Sequence, residues 1–411
     1  MLPDKVGRPG DIKRVIITLD GIDISSGVIA THIWQDIFTA SWSCKLIVGD
    51  TTNMIHTLPI KQGMEIGITL ETELTNKTKD AKQFKFILFA ITDRTFEKSR
   101  FQSYALEGVS KSFIKNQQKR VSKHYSDTPD QIVSKIVSDK LGGTCKTSSA
   151  GSKIDVIIPN LSPMMAANFV CKFAKAGQAA DCVFFMTDDD EYIMESVEKL
   201  YTSDEYKSGW TLLQGEANAK DTIGNQGDEV VFYISGYTFE HYDALMNMTG
   251  GFYANQVVTY DFTKKKWEER NFKHGDDISS DHSMSTFSGS VFDDSKLANQ
   301  SFIPKYDMLF DKKASPFKSD NLEDWVGSRK SSMLKLEQDR LFVQIPGNVI
   351  MWQALGKNIE IDLPSHEDMT GETLDKYYKG TYLITAVHHT VQGTHYNVNL
   401  ELVKKRLAEG M

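Results

Sequence analysis

Among the side chains able to do chemistry, the adjacent pair His388-His389 is the first candidate. Imidazoles bind metals readily, but neighbours on a strand point to opposite faces, so these two cannot share one ion without distortion. Asp188-Asp189-Asp190-Glu191 gathers four carboxylates, the charge a calcium ion seeks. It lacks the alternating ligand spacing and central glycine of an EF-hand loop, and a solvated hairpin turn is the expectation. Asp36 and Glu107 supply the two acids that a cell-wall-cleaving acid/base pair requires, yet they lie in strands far apart in sequence. No G-x-S-x-G, H-E-x-x-H or Walker loop occurs. The expectation is a protein that is not an enzyme, with no catalytic, cofactor-binding or metal residue and no cofactor.

The four cysteines, Cys44, Cys145, Cys171 and Cys182, form no C-x-x-C pair. Cys44, Cys171 and Cys182 sit in apolar runs, where a thiol behaves as a small buried hydrophobe, and a reducing compartment is implied. A net charge of −8 argues against a dedicated nucleic-acid binder. The basic clusters Lys115, Lys119, Arg120 and Lys123, and Lys264-Lys265-Lys266, fit solvated turns or helix faces. No stretch approaches the roughly 18 consecutive apolar residues of a membrane helix, and the first residues have no apolar segment of the kind a secretory signal needs. With 411 residues, 40% of them hydrophobic, the chain can build about two to four domains with real cores.

The elements that must carry these residues are mostly strands. Val15-Leu19, Trp42-Val48, Ile66-Leu70, Phe84-Ile91 and Phe101-Val109 alternate at period two or run apolar on both faces. Phe84-Ile91, apolar on both faces from Phe86, is expected to be a core strand. This spacing suggests a small barrel or sandwich over 1–110. From 111 to 205 the pattern is α+β. Thr128-Pro129-Asp130-Gln131 predicts a helix start with Thr128 as N-cap and Gln131 closing a capping box, and Gly142-Gly143 a stop. Ser162-Pro163 predicts a second helix with Met165, Phe169, Val170 and Phe173 on one stripe, followed by a hairpin from Val183 to Met194. Strands return over 206–268 and 337–411. The region 269–336 is polar, expected as a long surface insertion: Ser279-Ser285 lacks periodicity, while Asp320 can cap a helix bearing Leu322, Trp325, Val326, Met333 and Leu336.

A weak duplication runs through the strands. Gly63-Met64-Glu65-Ile66-Gly67-Ile68-Thr69-Leu70 and Gly356-Lys357-Asn358-Ile359-Glu360-Ile361-Asp362-Leu363 share G-x-x-I-x-I-x-L. Ala90-Ile91 and Leu106-Glu107 follow the first copy as Ala386-Val387 and Leu400-Glu401 follow the second. Two like barrels in each chain give a three-fold ring a pseudo-six-fold surface, able to join a three-fold partner to a six-fold one.

Several runs resemble one family in order. Ile33-Trp34-Gln35-Asp36-Ile37-Phe38, Gly49-Asp50-Thr51-Thr52-Asn53 with Leu58-Pro59-Ile60, and Arg120-Val121-Ser122 before Thr128-Pro129-Asp130-Gln131-Ile132 are three of them. Gly250-Gly251-Phe252-Tyr253-Ala254-Asn255 with Tyr260-Asp261, and Gly380-His389 with Leu400-Lys404, complete the set. Together they are similar to the central baseplate hub proteins of contractile-tailed bacteriophages, and to the hub half of type VI secretion spike proteins. The resemblance implies a mainly β fold with two similar tube-type β-barrels, a small α/β domain and a long polar insertion. It implies a homotrimer joining the six-fold tail tube, or a tube initiator, to a three-fold central spike, with baseplate wedge proteins around it. DNA would pass only in transit and no stable membrane association is implied. The place would be the virion tail baseplate, after assembly in the host cytoplasm. Because the sequence given stops at Met411, just past the last barrel strand, a separate spike protein is expected. The hub of a contractile bacteriocin or type VI machine, and a baseplate-carried cell-wall hydrolase, are the alternatives.

Overall fold

The structure is a computed structural model. It describes residues 12–404 except 73–80, 99–100, 149, 176–179, 189, 215–224, 227–228, 242, 263–264, 275–298, 306–321, 364–374 and 376–377. The expected stretch Ser279-Ser285 and the Asp320 cap lie outside the described residues, as does Asp189. The chain is mostly strand and divides into two compact units.

The first unit takes residues 1–115, 207–238 and 341–402. Its opening strands are β1 (Ile12–Leu19), β2 (Ile22–Asp23), β3 (Val28–Asp36), β4 (Thr39–Asp50), β5 (Glu65–Thr72), β6 (Ala81–Lys98) and β7 (Phe101–Ser110). β4 follows the period-two rule throughout: Trp42, Cys44, Leu46 and Val48 are buried between less buried neighbours. Gly108 on β7 lets Cys44, Ile66 and Phe86 close over the backbone, since a Cβ there would lie 2.7 Å from the Cys44 Sγ.

The Asp50-Thr51-Thr52-Asn53 turn has a mechanical role. The Asp50 carboxylate accepts from the amides of Thr52, Met54 and Ile55 at the start of α1 (Met54–Thr57), and from the Gln102 side chain. Burial works against its charged form, but these donors outweigh it and hold its pKa below the usual value.

In the second unit, residues 116–206, 239–340 and 403–411, β8 (Val121–Asp127), β9 (Thr144–Thr147), β10 (Ile154–Leu161), β11 (Cys182–Asp188) and β12 (Glu191–Ser196) form two small sheets. After α2 (Lys111–Gln118), α3 (Pro129–Ile136) starts at the expected proline, but Thr128 makes no side-chain cap. With its amide turned, Gln131 donates to Asp127 instead of closing a capping box. The helix runs on through a π-helical turn over Val137–Leu141 and stops at Gly142 with φ 75°. α4 (Pro163–Cys171) buries Met164, Ala166, Ala167, Val170 and Cys171; of the expected stripe Val170 is buried and Phe169 and Phe173 are half-buried, whereas Met165 is 60% exposed. Its first amides gain a partner that the sequence did not suggest: Asn116 Oδ1 accepts from Met164 N at 2.8 Å.

After α5 (Val197–Thr202) the chain returns to the first unit with β13 (Lys207–Gln214), β14 (Asn225–Gln226), β15 (Glu229–Ile234) and β16 (Gly236–Glu240), the last of which ends at the boundary. Then α6 (Ala244–Gly250), β17 (Ala254–Asp261), β18 (Lys266–Lys273), β19 (Gln300–Lys305) and α7 (Leu322–Lys335) follow, before β20 (Arg340–Pro346), β21 (Asn358–Asp362), β22 (Gly380–Gln392) and β23 (His395–Lys404). β17 and β18, expected with the second barrel, pair with β19 in a separate three-stranded sheet of the second unit. The reason is the insertion point: the excursion leaves after Glu240 and returns at Arg340, earlier than the polar composition announces. α7 anchors it within that unit. Arg329 donates to the carbonyls of Cys171, Ala180 and Cys182 at 3.0–3.3 Å, and Trp325 packs edge-on against Phe173.

Candidate functional site: a joint between two like modules

One fifteen-stranded sheet holds the first unit together. Its order carries the duplication into three dimensions. One half runs β5-β6-β7-β4-β3, and the other runs β21-β22-β23-β20-β16. The register agrees as well. Glu65, Ile66 and Ile68 on β5 face Ile87, Phe86 and Phe84 on β6, as Asn358, Ile359 and Ile361 on β21 face Leu383, Tyr382 and Gly380 on β22. Aligning the two G-x-x-I-x-I-x-L copies therefore aligns Phe86 with Tyr382, both fully buried, and Ala90 with Ala386, as the sequence landmarks require. The flanking strands differ: β1 is antiparallel to β5, while β13 is parallel to β21. Pairings among the described residues leave each half open, so the two expected barrels are two like strand sets of one sheet.

The halves meet where β22 continues past β21 and pairs with β3, from Ala386 opposite Asp36 to Gln392 opposite Ala30. Both faces of this joint are filled. Inside, Trp42 from one half meets Trp352 from the other edge-on at 5.2 Å, and His389 lies 4.5 Å from the Trp352 ring. His389 Nδ1 is 2.7 Å from the Tyr396 hydroxyl. Gly347 makes room for that tyrosine, since a Cβ there would overlap the ring. On the outer face His32, Trp34 and His388 stack with ring centroids 5.0–5.6 Å apart, and His32 Nδ1 is 3.1 Å from His388 Nε2. Burial, with each neighbouring histidine adding to it, pushes His388 down to about 4 and His389 to about 3. Both are neutral at ordinary pH, which suits rings packed against tryptophan.

The residues first considered for chemistry are thus placed as follows. His388 and His389 point to opposite faces, and the neighbour of His388 is His32, too distant in sequence for any spacing rule to find. Asp36 accepts from the amide of Phe38 in its own turn, while Glu107 accepts from Thr92 and faces Lys45. On β4 their opposite numbers are Thr39 and Lys45, so the two acids stand about 20 Å apart along the strand. Asp190 holds a turn with φ 57°. Among the described residues, no three His, Cys, Asp or Glu side chains converge as a metal site. The cysteines are free thiols, with Cys44, Cys171 and Cys182 buried; burial raises Cys145 and Cys171 to about 12. Of the basic residues, Lys119 and Arg120 bond backbone carbonyls and Lys123 lies over the Tyr125 ring. Lys264 is outside the described residues.

No family model matches the chain, and no curated protein does. Solved structures do. The 43 kDa tail protein of prophage MuSo2 from Shewanella oneidensis matches with a TM-score of 0.59 at 9% identity, over 95% of this chain and 98% of that one. A tail protein from Neisseria meningitidis MC58 matches with a TM-score of 0.54 at 10% identity, over 95% and 96%. The chain has the fold of these phage tail proteins. A component of the E. coli type VI secretion system, described as similar in structure to the T4 bacteriophage tail proteins gp27 and gp5, aligns with a TM-score of 0.47 at 10% identity, over 96% of this chain and 79% of that one. Among the described residues no helix is long and apolar enough to cross a membrane.

Proposed function

We propose that this chain is the structural hub of a phage tail baseplate, a homotrimer that adapts the six-fold tail tube to a three-fold central spike and lines part of the DNA passage. The observation that carries the reading is the repeated strand order and register within one sheet. Two equivalent modules per chain turn three copies into six near-equivalent surfaces, which is what a three-to-six junction needs. The fold likeness to phage tail proteins along almost the whole chain supports it.

A load-bearing role in the mechanical sense also fits how the polar residues are used. Asp36 accepts from a turn amide, Glu107 pairs across strands, and His388 and His389 pack on tryptophan. The partners in this reading are a spike protein, the tube or its initiator, and the surrounding wedge proteins. The place is the virion tail, after assembly in the host cytoplasm. The net charge of −8 suits a passage that must not hold DNA, because like charges repel at short range.

Light scattering on the purified chain, alone and with its spike protein, tests the reading. A trimer is expected, and a monomer under both conditions would overturn it. Mapping acidic side chains onto that trimer tests the passage, and a strongly basic lumen would end that part of the reading.

A further inference from the structure

β22 shows what the distal half of such a strand can do. Its first half pairs with β21, and from Ala386 onward its edge pairs with β3. β6 is built the same way. Its first half pairs with β5 as far as Ile87, opposite Glu65, and its other edge pairs with β7 out to Lys98. Leu88 still exchanges backbone hydrogen bonds with Gly63 and Met64, and past it the β5-side edge of β6 has no strand neighbour among the described residues. This is the part of β6 that departs from the expected core strand. Phe84, Phe86 and Leu88 are buried, but Phe89, Ile91 and Phe96 are 46%, 38% and 71% exposed. An open strand edge studded with exposed apolar side chains is a template for another strand, and folded proteins rarely leave one uncovered.

The repeat says which strand. β3 is the strand that covers β22, and its counterpart in the other half is β16, the terminal strand of its branch, which pairs β20 as β3 pairs β4. The hairpin ends set the register. Asp36 faces Thr39 at the tip of β3 and β4. Glu240 bonds Arg340 at 2.7 Å at the corresponding end of β16 and β20, where the long excursion replaces a two-residue turn. Glu240 thus stands where Asp36 stands, and Phe239 where Gln35 stands.

We infer that the distal half of β6 receives β16 of a second copy of this chain, antiparallel, with Ala90 opposite Glu240 and Ile91 opposite Phe239. The joint repeats between chains what Ala386 and Val387 make with Asp36 and Gln35 within one. The regular ladder runs as far as Thr92, because Asp93 turns to φ 55° and shifts the register on β6. Such a contact is head-to-tail: each copy gives one β6 edge and takes one β16. A contact of that kind closes into a ring or grows into a filament, and it closes at three when each copy spans two of six equivalent positions. The inference rests on the hub reading and adds the strands that hold the ring.

Cysteine cross-linking tests it. Residues directly opposite on antiparallel strands have Cα atoms about 4.5–5.5 Å apart, within disulfide reach. In a C145S background, the I91C/F239C chain should oxidise to a covalent trimer on a non-reducing gel, with neither single variant doing so. As a control, W34C/H388C should link within the chain and keep monomer mobility, since Trp34 faces His388 inside one copy. A trimer by light scattering without the Ile91–Phe239 link would overturn the edge pairing and leave the hub reading standing. A chain that stays monomeric up to its solubility limit, alone and with its spike protein, and forms no link would overturn both. Because Phe89 and Ile91 are exposed in the lone chain, F89K/I91K should fold normally, melt as the parent does at dilutions where both are monomeric, and associate at least tenfold more weakly. Unchanged association of that variant would equally overturn the pairing.

Discussion

Strands β6 and β22 hold the same position in their modules and have opposite surroundings. The distal half of β22 is covered by β3, and its residues are packed: His389 is fully buried against Trp352 and Tyr396. The distal half of β6 keeps apolar side chains on its surface, with Thr92 and Asp93 standing where β22 carries His388 and His389. The tips differ in the same spirit. In the first module β3 turns into β4 through Ile37 and Phe38, while the second module opens at that point into an excursion from His241 to Asp339. Duplication has kept the strand frame, and what distinguishes the copies is what covers each edge and what hangs from each tip.

The largest expected effect comes from breaking the covered joint. Ile33 on β3 is completely buried. Ile33→Ala should cost about 2–5 kcal/mol, from lost transfer energy and the cavity left behind. Chemical denaturation would show it as a lower midpoint at unchanged slope. A loss below about 1 kcal/mol would mean that the β3–β22 joint contributes little to the first unit. Next is the anchor of the excursion. Arg329→Met removes donors from three carbonyls and should cost about 1–3 kcal/mol. Arg329→Lys should restore only part of this, because one ammonium cannot reproduce the planar fork. The second unit should show the loss, by faster amide exchange around Cys171 and Cys182.

The histidines give the comparison a pH axis. In the fold His389 and His388 are held neutral down to about pH 3 and 4, against about 6.5 in an unfolded chain. Within that window the unfolded state binds protons that the folded state refuses, so stability falls as pH drops below about 6.5 and is complete above it. His388→Thr, which installs the residue that β6 carries, should flatten this dependence without removing it, since His389 remains. Thermal melting at pH 5 and pH 8 measures the difference. An equal loss in both variants would place the acid sensitivity elsewhere, for instance at His274, which burial pushes down to about 4.

How much of this could be foreseen follows from where the information lies. β4, β5 and β7 were legible because one face of each meets the core and the other does not, which writes period two into the chain. The helix starts at Pro129 and Pro163 were legible because proline fits the first turn and little else. β3 was legible only at its Asp36 end: Val28–Asp36 mixes buried Ala30, Thr31, Ile33 and Gln35 with a half-exposed histidine and tryptophan, since its outer face carries a ring stack as well as meeting water. The excursion's start was hidden. Its first strands are as apolar as those of the module it leaves, so composition changes well after the topology does. The His32–His388 contact depends on two modules meeting, which no local pattern encodes. β6 misled in the other direction, because an apolar surface awaiting a partner and an apolar surface already in a core have the same composition.

The smallest expected effect separates those two meanings. Ile91→Thr places at one exposed position of β6 a smaller β-branched side chain with a hydroxyl in place of apolar surface. In a core this would strand a polar group and cost roughly 1–3 kcal/mol. On a strand surface in the lone chain it should change stability by no more than about 0.5 kcal/mol in either direction. Urea unfolding of the dilute chain measures it, and a loss of core size would show that Ile91 is already covered within a single copy. A neutral result would mean that the apolar character of distal β6 contributes nothing to the fold of one chain, so its use lies outside that chain.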